Sequence, residues 1–150
     1  MKKFILVSLC CVSLSAAIAA QNSTATVKAP ASAVQTVKTK FPAASNVNWK
    51  QVSDKYAAEF KNGANTVTAY FDAQGTFIES ITPIAEQKLP SPVKVTVGDE
   101  FKGYATSQHS LIETAGNETF YKVVVDKGNE FIELRVNPEG SIMKTVITRK

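Results

Sequence analysis

The sequence predicts an α+β protein: a tandem duplication of a helix followed by a four-stranded antiparallel meander, with the helices packed on one face of the sheet. Three observations predict it. Apolar residues at helical spacing give way, twice, to runs in which apolar and polar residues alternate. The stretches "FDAQG" at 71–75 and "VNPEG" at 136–140 interrupt β-branched and aromatic runs at a spacing of 65 residues. Finally, "LPSP" at 89–92 reopens the pattern much as "KAP" does at 28–30.

The chain begins as an export signal does. Lys2 and Lys3 precede an apolar run from Phe4 to Leu14, followed by the small residues Ser15, Ala16, Ala17, Ala19 and Ala20 around Ile18. Cleavage after Ala19 or Ala20 leaves about 130 residues. The apolar run falls short of the roughly 20 residues a spanning helix needs, and no later stretch approaches that length. The expected protein is therefore periplasmic or secreted, with no stable membrane span. Leu9 before Cys10, in the middle of the apolar run, is not a lipid-attachment signal. Both cysteines, Cys10 and Cys11, leave with the signal, which excludes disulfides, thiolate catalysis and cysteine-bound metals from the mature chain. Removing Lys2 and Lys3 also takes the basic count from 17 to 15, against 13 acidic residues. The remaining charges are interspersed, so nucleic acid is not an expected partner.

Residues 21–29 read as a small, polar lead-in. A first unit is expected over 30–84. Pro30 suits the first turn of a helix, and Ala33, Val34, Val37 and Phe41 recur at helical spacing until Pro42 ends it. The period then becomes two: Val47 and Trp49, then Tyr56, Ala58 and Phe60, then Val67, Ala69 and Phe71, then a strand from about 76 to 81. Ser53-Asp54, Asn62-Gly63 and the 72–75 stretch supply the turns. A second unit is expected over 85–150, matching the first at an offset of 60 in its helix and 65 in its strands. The five extra residues predict a longer loop near 106–110. "VKVTVGDEF" at 93–101 favours strand by propensity. Its preceding prolines, the repeat and Gly103 as a C-terminal cap nevertheless predict a helix.

With these landmarks in place, the mature chain resembles the secreted PepSY-like proteins of bacteria, also described as β-lactamase-inhibitor-protein-like (BLIP-like). The resemblance rests on the Trp49 strand, the Tyr56 to Phe60 strand, the turn at 72–75 and the Leu89-Pro90 restart. It implies two helix-plus-meander units whose sheets join or lie side by side, and binding or inhibition of envelope proteins, often peptidases. It implies no enzyme activity and no cofactor, and no residues here justify transferring β-lactamase inhibition.

The residues themselves show no catalytic constellation. His109, the one histidine, sits in the polar stretch "SQHS", where an exposed loop position is expected. No set of His, Cys and carboxylate ligands fits zinc. Asp72 lacks the further oxygen ligands of a calcium loop, and its counterpart is Asn137, so a backbone-bonding turn is expected at both. Glu59, Glu79, Glu113, Glu118, Glu130 and Glu133 read as solvated charges on strand faces.

The site expectation comes from alternation. If Tyr56, Ala58, Phe60, Val67, Ala69 and Phe71 point under the helices, then Tyr70, Ile78, Val124, Phe131 and Met143 point the other way, flanked by Lys122, Glu133 and Arg135. These eight residues form the candidate protein-binding sheet face, for an envelope protein or peptide. The alternative is a carrier of a small apolar ligand or lipid. That needs an enclosed cavity, whereas bulky inward Phe, Tyr and Val are expected to fill the core.

Overall fold

The computed structural model describes residues 27–149. The expected export signal at 1–20, and residues 21–26 of the lead-in, lie outside the described residues. The element order is α1 (Ala31–Lys40), β1 (Ala44–Val52), β2 (Lys55–Asn62), β3 (Asn65–Phe71) and β4 (Phe77–Pro83). A single 3-10 turn (Glu86–Lys88) follows, then α2 (Ser91–Glu100), β5 (Ala105–Thr114), β6 (Thr119–Lys127), β7 (Glu130–Val136) and β8 (Ile142–Arg149).

The expected fold class needs correction. All eight strands form one antiparallel sheet in the order β1 to β8. Strand β4 pairs directly with β5, from Glu79↔Thr114 to Pro83↔Ser110. The chain is therefore one sheet carrying two short helices, and the description as a duplicated helix plus four-strand meander does not fit it. The physical reason lies in the β4–β5 ladder. Its strands are separated by the 3-10 turn and α2, so no local turn signal announces the pairing. The longer loop expected near 106–110 is also absent, because those residues lie within β5. Extra length appears instead in the β5–β6 turn at 115–118, where the β1–β2 turn has only 53–54.

Each helix has ten residues, too short to persist alone, so its stability comes from burial. Ala33 and Val37 face the sheet from α1; Val93 and Val97 do so from α2. The β-branched sequence of α2 is thus helical because two of its valines, four residues apart, are worth more buried than extended. Under α1 the core is aromatic: Phe60 and Phe71 are fully buried, and Phe41, Trp49 and Phe77 pack around them. Under α2 it is aliphatic: Val123, Val125, Ile132, Leu134 and Val136.

Strand partners share a sheet face. Ala69 pairs with Ser80, and two residues along β4 Thr82 pairs with Leu111, which pairs with Tyr121 and thence Val136. The two cores therefore lie on the same side of the sheet, and among the described residues the opposite side carries no helix.

The turns after β3 and β7 tie this arrangement together. Asp72 Oδ1 accepts the N–H groups of Gln74 and Thr76 at 2.9 and 2.8 Å, and Asn137 Oδ1 accepts that of Ser141 at 2.7 Å. Both are backbone-bonding turns, as the sequence predicts. Each packs its glycine against the start of a helix. A Cβ on Gly75 would lie 2.9 Å from Ala33 N, and one on Gly140 would lie 2.9 Å from the Pro92 carbonyl oxygen. Ser32 Oγ donates to the Gln74 carbonyl at 2.7 Å, pinning the first turn of α1 to the sheet.

Candidate functional site

The helix-free face is read directly from the ladder. One row runs Ala57, Tyr70, Glu79, Thr114; the next runs Thr68, Ile81, Ile112, Phe120. Further rows are Ser110, Lys122, Arg135, Lys144 and Val124, Glu133, Val146. On this side Ala57, Ile112 and Ser110 are buried although no helix covers them. The sheet itself closes over them. A single cleft of about 410 Å³ is bounded by the β1–β2 turn (Val52, Ser53, Asp54), by Lys55 of β2, by Tyr70, and by Lys122 and Glu133 of β6 and β7. In a flat sheet β2 and β7 lie five spacings, about 24 Å, apart. Their sharing one cleft means that the sheet is strongly coiled, with the helix-free face on its concave side.

Side chains span this concavity. Arg135 Nη1 donates to Glu79 Oε2 at 3.0 Å, joining β7 to β4, and its guanidinium lies 4.3 Å from the centre of the Phe120 ring. Lys122 Nζ sits 3.6 Å from Glu133 Oε2. The result is an apolar floor of Tyr70, Ile81, Ile112 and Phe120 under paired charges of both signs. Among the described residues no group of three or more His, Cys, Asp and Glu side chains could hold a metal ion. Glu79 is thus bonded to Arg135, and Glu133 stands beside Lys122.

Of the eight residues named from the sequence, Tyr70, Ile78, Lys122 and Glu133 line the cleft together. Arg135 reaches it through Glu79. Val124 pairs with Glu133, and Phe131 lies two residues along β7, so both share the face but lie outside the cleft lining. Ile78 is the extra residue of a bulge between Tyr70↔Glu79 and Phe71↔Phe77. Met143 is the extra residue of a second bulge, on edge strand β8, where it is 59% exposed. The sequence located the β1–β2 turn at Ser53-Asp54 but did not assign it, or Ile81, to the site, and it read Glu79 as a solvated charge. The signal for Glu79 was its place in strand register with Tyr70; that signal is hidden by the bulge, which breaks simple alternation.

His109 is also corrected. It lies in β5, paired with Val123 on the helix-covered side, and its Nε2 is buried without a hydrogen-bond partner. A bulge between Thr106 and Gln108 sets its face.

Two further ionisable groups are displaced. Tyr104 Oη donates to Glu130 Oε1 at 2.8 Å, and Arg149 Nε donates to Oε2 at 3.1 Å. The tyrosine hydrogen bond, then the arginine, holds Glu130 below the ordinary carboxylate range, and the same bond to Glu130 raises Tyr104.

Comparison with known proteins places the fold. No family model matches the sequence, and no curated protein matches it. Solved structures do match. A BLIP-like protein from Bacteroides fragilis NCTC 9343 superposes with a TM-score of 0.71 at 19% identity, covering 83% of this chain and 90% of that one. A DUF2874 family protein from Bacteroides uniformis ATCC 8492 gives 0.73 at 19% identity, covering 80% and 90%. A candidate periplasmic protein from Bacteroides eggerthii DSM 20697 gives 0.72 at 17% identity, covering 81% and 90%. The chain has the BLIP-like fold, and the resemblance read from its sequence is shown at that level. Among the described residues no helix is long and apolar enough to cross a membrane.

Proposed function

We propose that this chain is an exported, periplasmic, non-enzymatic module that binds an envelope protein or peptide, in the manner of an inhibitor, on the concave face of its sheet. The observation that carries the reading is the cleft in which Tyr70, Ile78, Lys122 and Glu133 converge from strands far apart in the sheet. Its composition suits a protein partner. Half-buried aromatic and aliphatic groups supply apolar contact, and Arg135 stacked on Phe120 supplies a pre-positioned cation, the mixture found at the energetic centres of interfaces. A run of basic, apolar and small residues at 2–20 supports export, and the likeness to a candidate periplasmic protein agrees with that compartment.

Affinity recovery from the envelope fraction tests the reading. Tyr70→Ser removes apolar area from the cleft and is expected to cut recovery of the specific partner by tenfold or more, since truncation of a central aromatic costs about 2 kcal/mol, whereas Phe131→Ser, on the same face outside the cleft lining, is expected to cut it by less. Val95→Ser, at a 61% exposed position on α2, is expected to leave it unchanged. Equal recovery with all three variants contradicts the assignment.

A further inference from the structure

The sheet is open, so β1 and β8 each present an edge to which no further strand of the described residues is paired. The two edges are built differently. On β1 the register with β2 breaks between Ser45 and Asn48, where Asn46 takes a φ of 54°, and Lys50 is bonded to Glu59 at 2.8 Å. A bulge and a neutralised cation make a poor template for another strand. On β8 the bulge falls at Met143, and from Lys144 to Arg149 six consecutive residues keep unbroken register with β7. Alternate residues of an edge strand point their N–H and C=O groups away from the sheet, so about three residues here offer both groups outward.

The side chains of β8 match that backbone. Seven of its eight residues are exposed. Thr145 pairs with the core residue Leu134, which places Ile147 on the helix-covered side and Val146 on the concave side, where they are 54% and 42% exposed. Apolar surface is thus presented on both sides of one edge, and a strand laid along it would cover both. The charge is of one sign: Lys144 and Arg149 are cations, and no acidic residue lies between 142 and 149. On the concave face Lys144 ends the row that begins with Lys122 and Arg135. Lys122 has Glu133 and Arg135 has Glu79, whereas Lys144 makes no ion pair among the described residues.

We propose that β8 is a docking edge to which an acidic, extended segment of a partner protein adds as a further strand. The outward N–H and C=O groups supply the ladder, Val146 and Ile147 supply apolar contact on the two faces, and an acidic residue opposite Lys144 supplies the missing counter-charge. The same signs disfavour a second copy as the occupant, because β8 laid against β8 brings only cations to the shared edge. No residue of β8 lines the cleft, so this surface is separate from the one that carries the proposed function.

The probe is the capped hexapeptide acetyl-Glu-Thr-Val-Val-Thr-Glu-amide. It sets glutamate opposite Lys144 and Arg149, and valine opposite Val146 and Ile147, in either strand direction. Titrated into the ¹⁵N-labelled protein, it is expected to shift the amide signals of residues 143–149 saturably and to slow their hydrogen exchange, with those of Ser53 and Tyr70 unmoved. The same peptide with lysine in place of both glutamates is expected to bind about fivefold more weakly, since each opposite-charge pair becomes a like-charge pair. Lys144→Glu, at an exposed position, reverses one of the two pairs and is expected to bring the two peptides to equal affinity. Absence of shifts at 143–149, shifts confined to the cleft, equal affinity of both peptides for the wild type, or a sedimentation mass of two chains with 144–149 already protected before peptide is added overturns the proposal. None of these outcomes decides whether an envelope protein binds in the cleft, so the two assignments stand or fall separately.

Discussion

Asp72 and Asn137 do the same structural work with different chemistry. Both oxygens accept backbone N–H groups across a four-residue turn, but only Asp72 titrates. Chiefly the Thr76 N–H, with those of Gln74 and Gly75 adding to it, holds its carboxyl below the ordinary value. A carboxylate whose folded value is depressed contributes stability that is present above its unfolded value and is lost as pH falls through the folded one. Urea midpoints of the wild type and Asp72→Asn should therefore differ at pH 6 and converge as the pH drops below about 4. A constant gap down to pH 2.5 contradicts the account. Glu130, depressed by Tyr104 and Arg149, should behave likewise in Glu130→Gln. These turns were legible in the sequence because a local side chain and its backbone partner lie within four residues. His109 was not, because a bulge two residues earlier decides which face it meets.

At the scale of the element, two ten-residue helices owe their position to the turns that meet their first residues. Gly75 and Gly140 have φ of 83° and 93°, and each lies where a side chain would strike helix backbone. Gly75→Ala and Gly140→Ala are each expected to cost about 2 kcal/mol or more, combining left-handed strain with a clash that cannot relax without moving the helix. Chemical denaturation measures it, and a loss below about 0.5 kcal/mol in either variant would show that the turn does not clamp its helix. The helices and strands themselves were readable from period and turn residues, even α2, where burial of Val93 and Val97 overrides propensity. What stayed open was whether the two sheets join, and the β4–β5 ladder joins them. Non-local pairing is encoded by complementary faces rather than by a turn, so the chain reads as two meanders and folds as one sheet.

For the molecule as a whole, coiling of the sheet is the decisive property and the one least written in any single residue. Alternation alone places Tyr70, Lys122 and Glu133 on a common face. Only curvature brings β2, β3, β6 and β7 around one cleft and sets Arg135 of β7 against Glu79 of β4. The same curvature buries Ile112 and Ala57 on the side without helices, which gives the concave face a firm apolar floor. The two sides of the sheet thus carry different equipment: paired charges and aromatics on the concave side, and the two helices with their cores on the other. Site-specific photo-crosslinking in intact cells tests the central claim most directly, with a benzophenone side chain placed in turn at Tyr70, at Lys122 and at Val95. The account predicts a common protein adduct from Tyr70 and Lys122 and none from Val95; adducts from Val95 alone, or from no position, would contradict it.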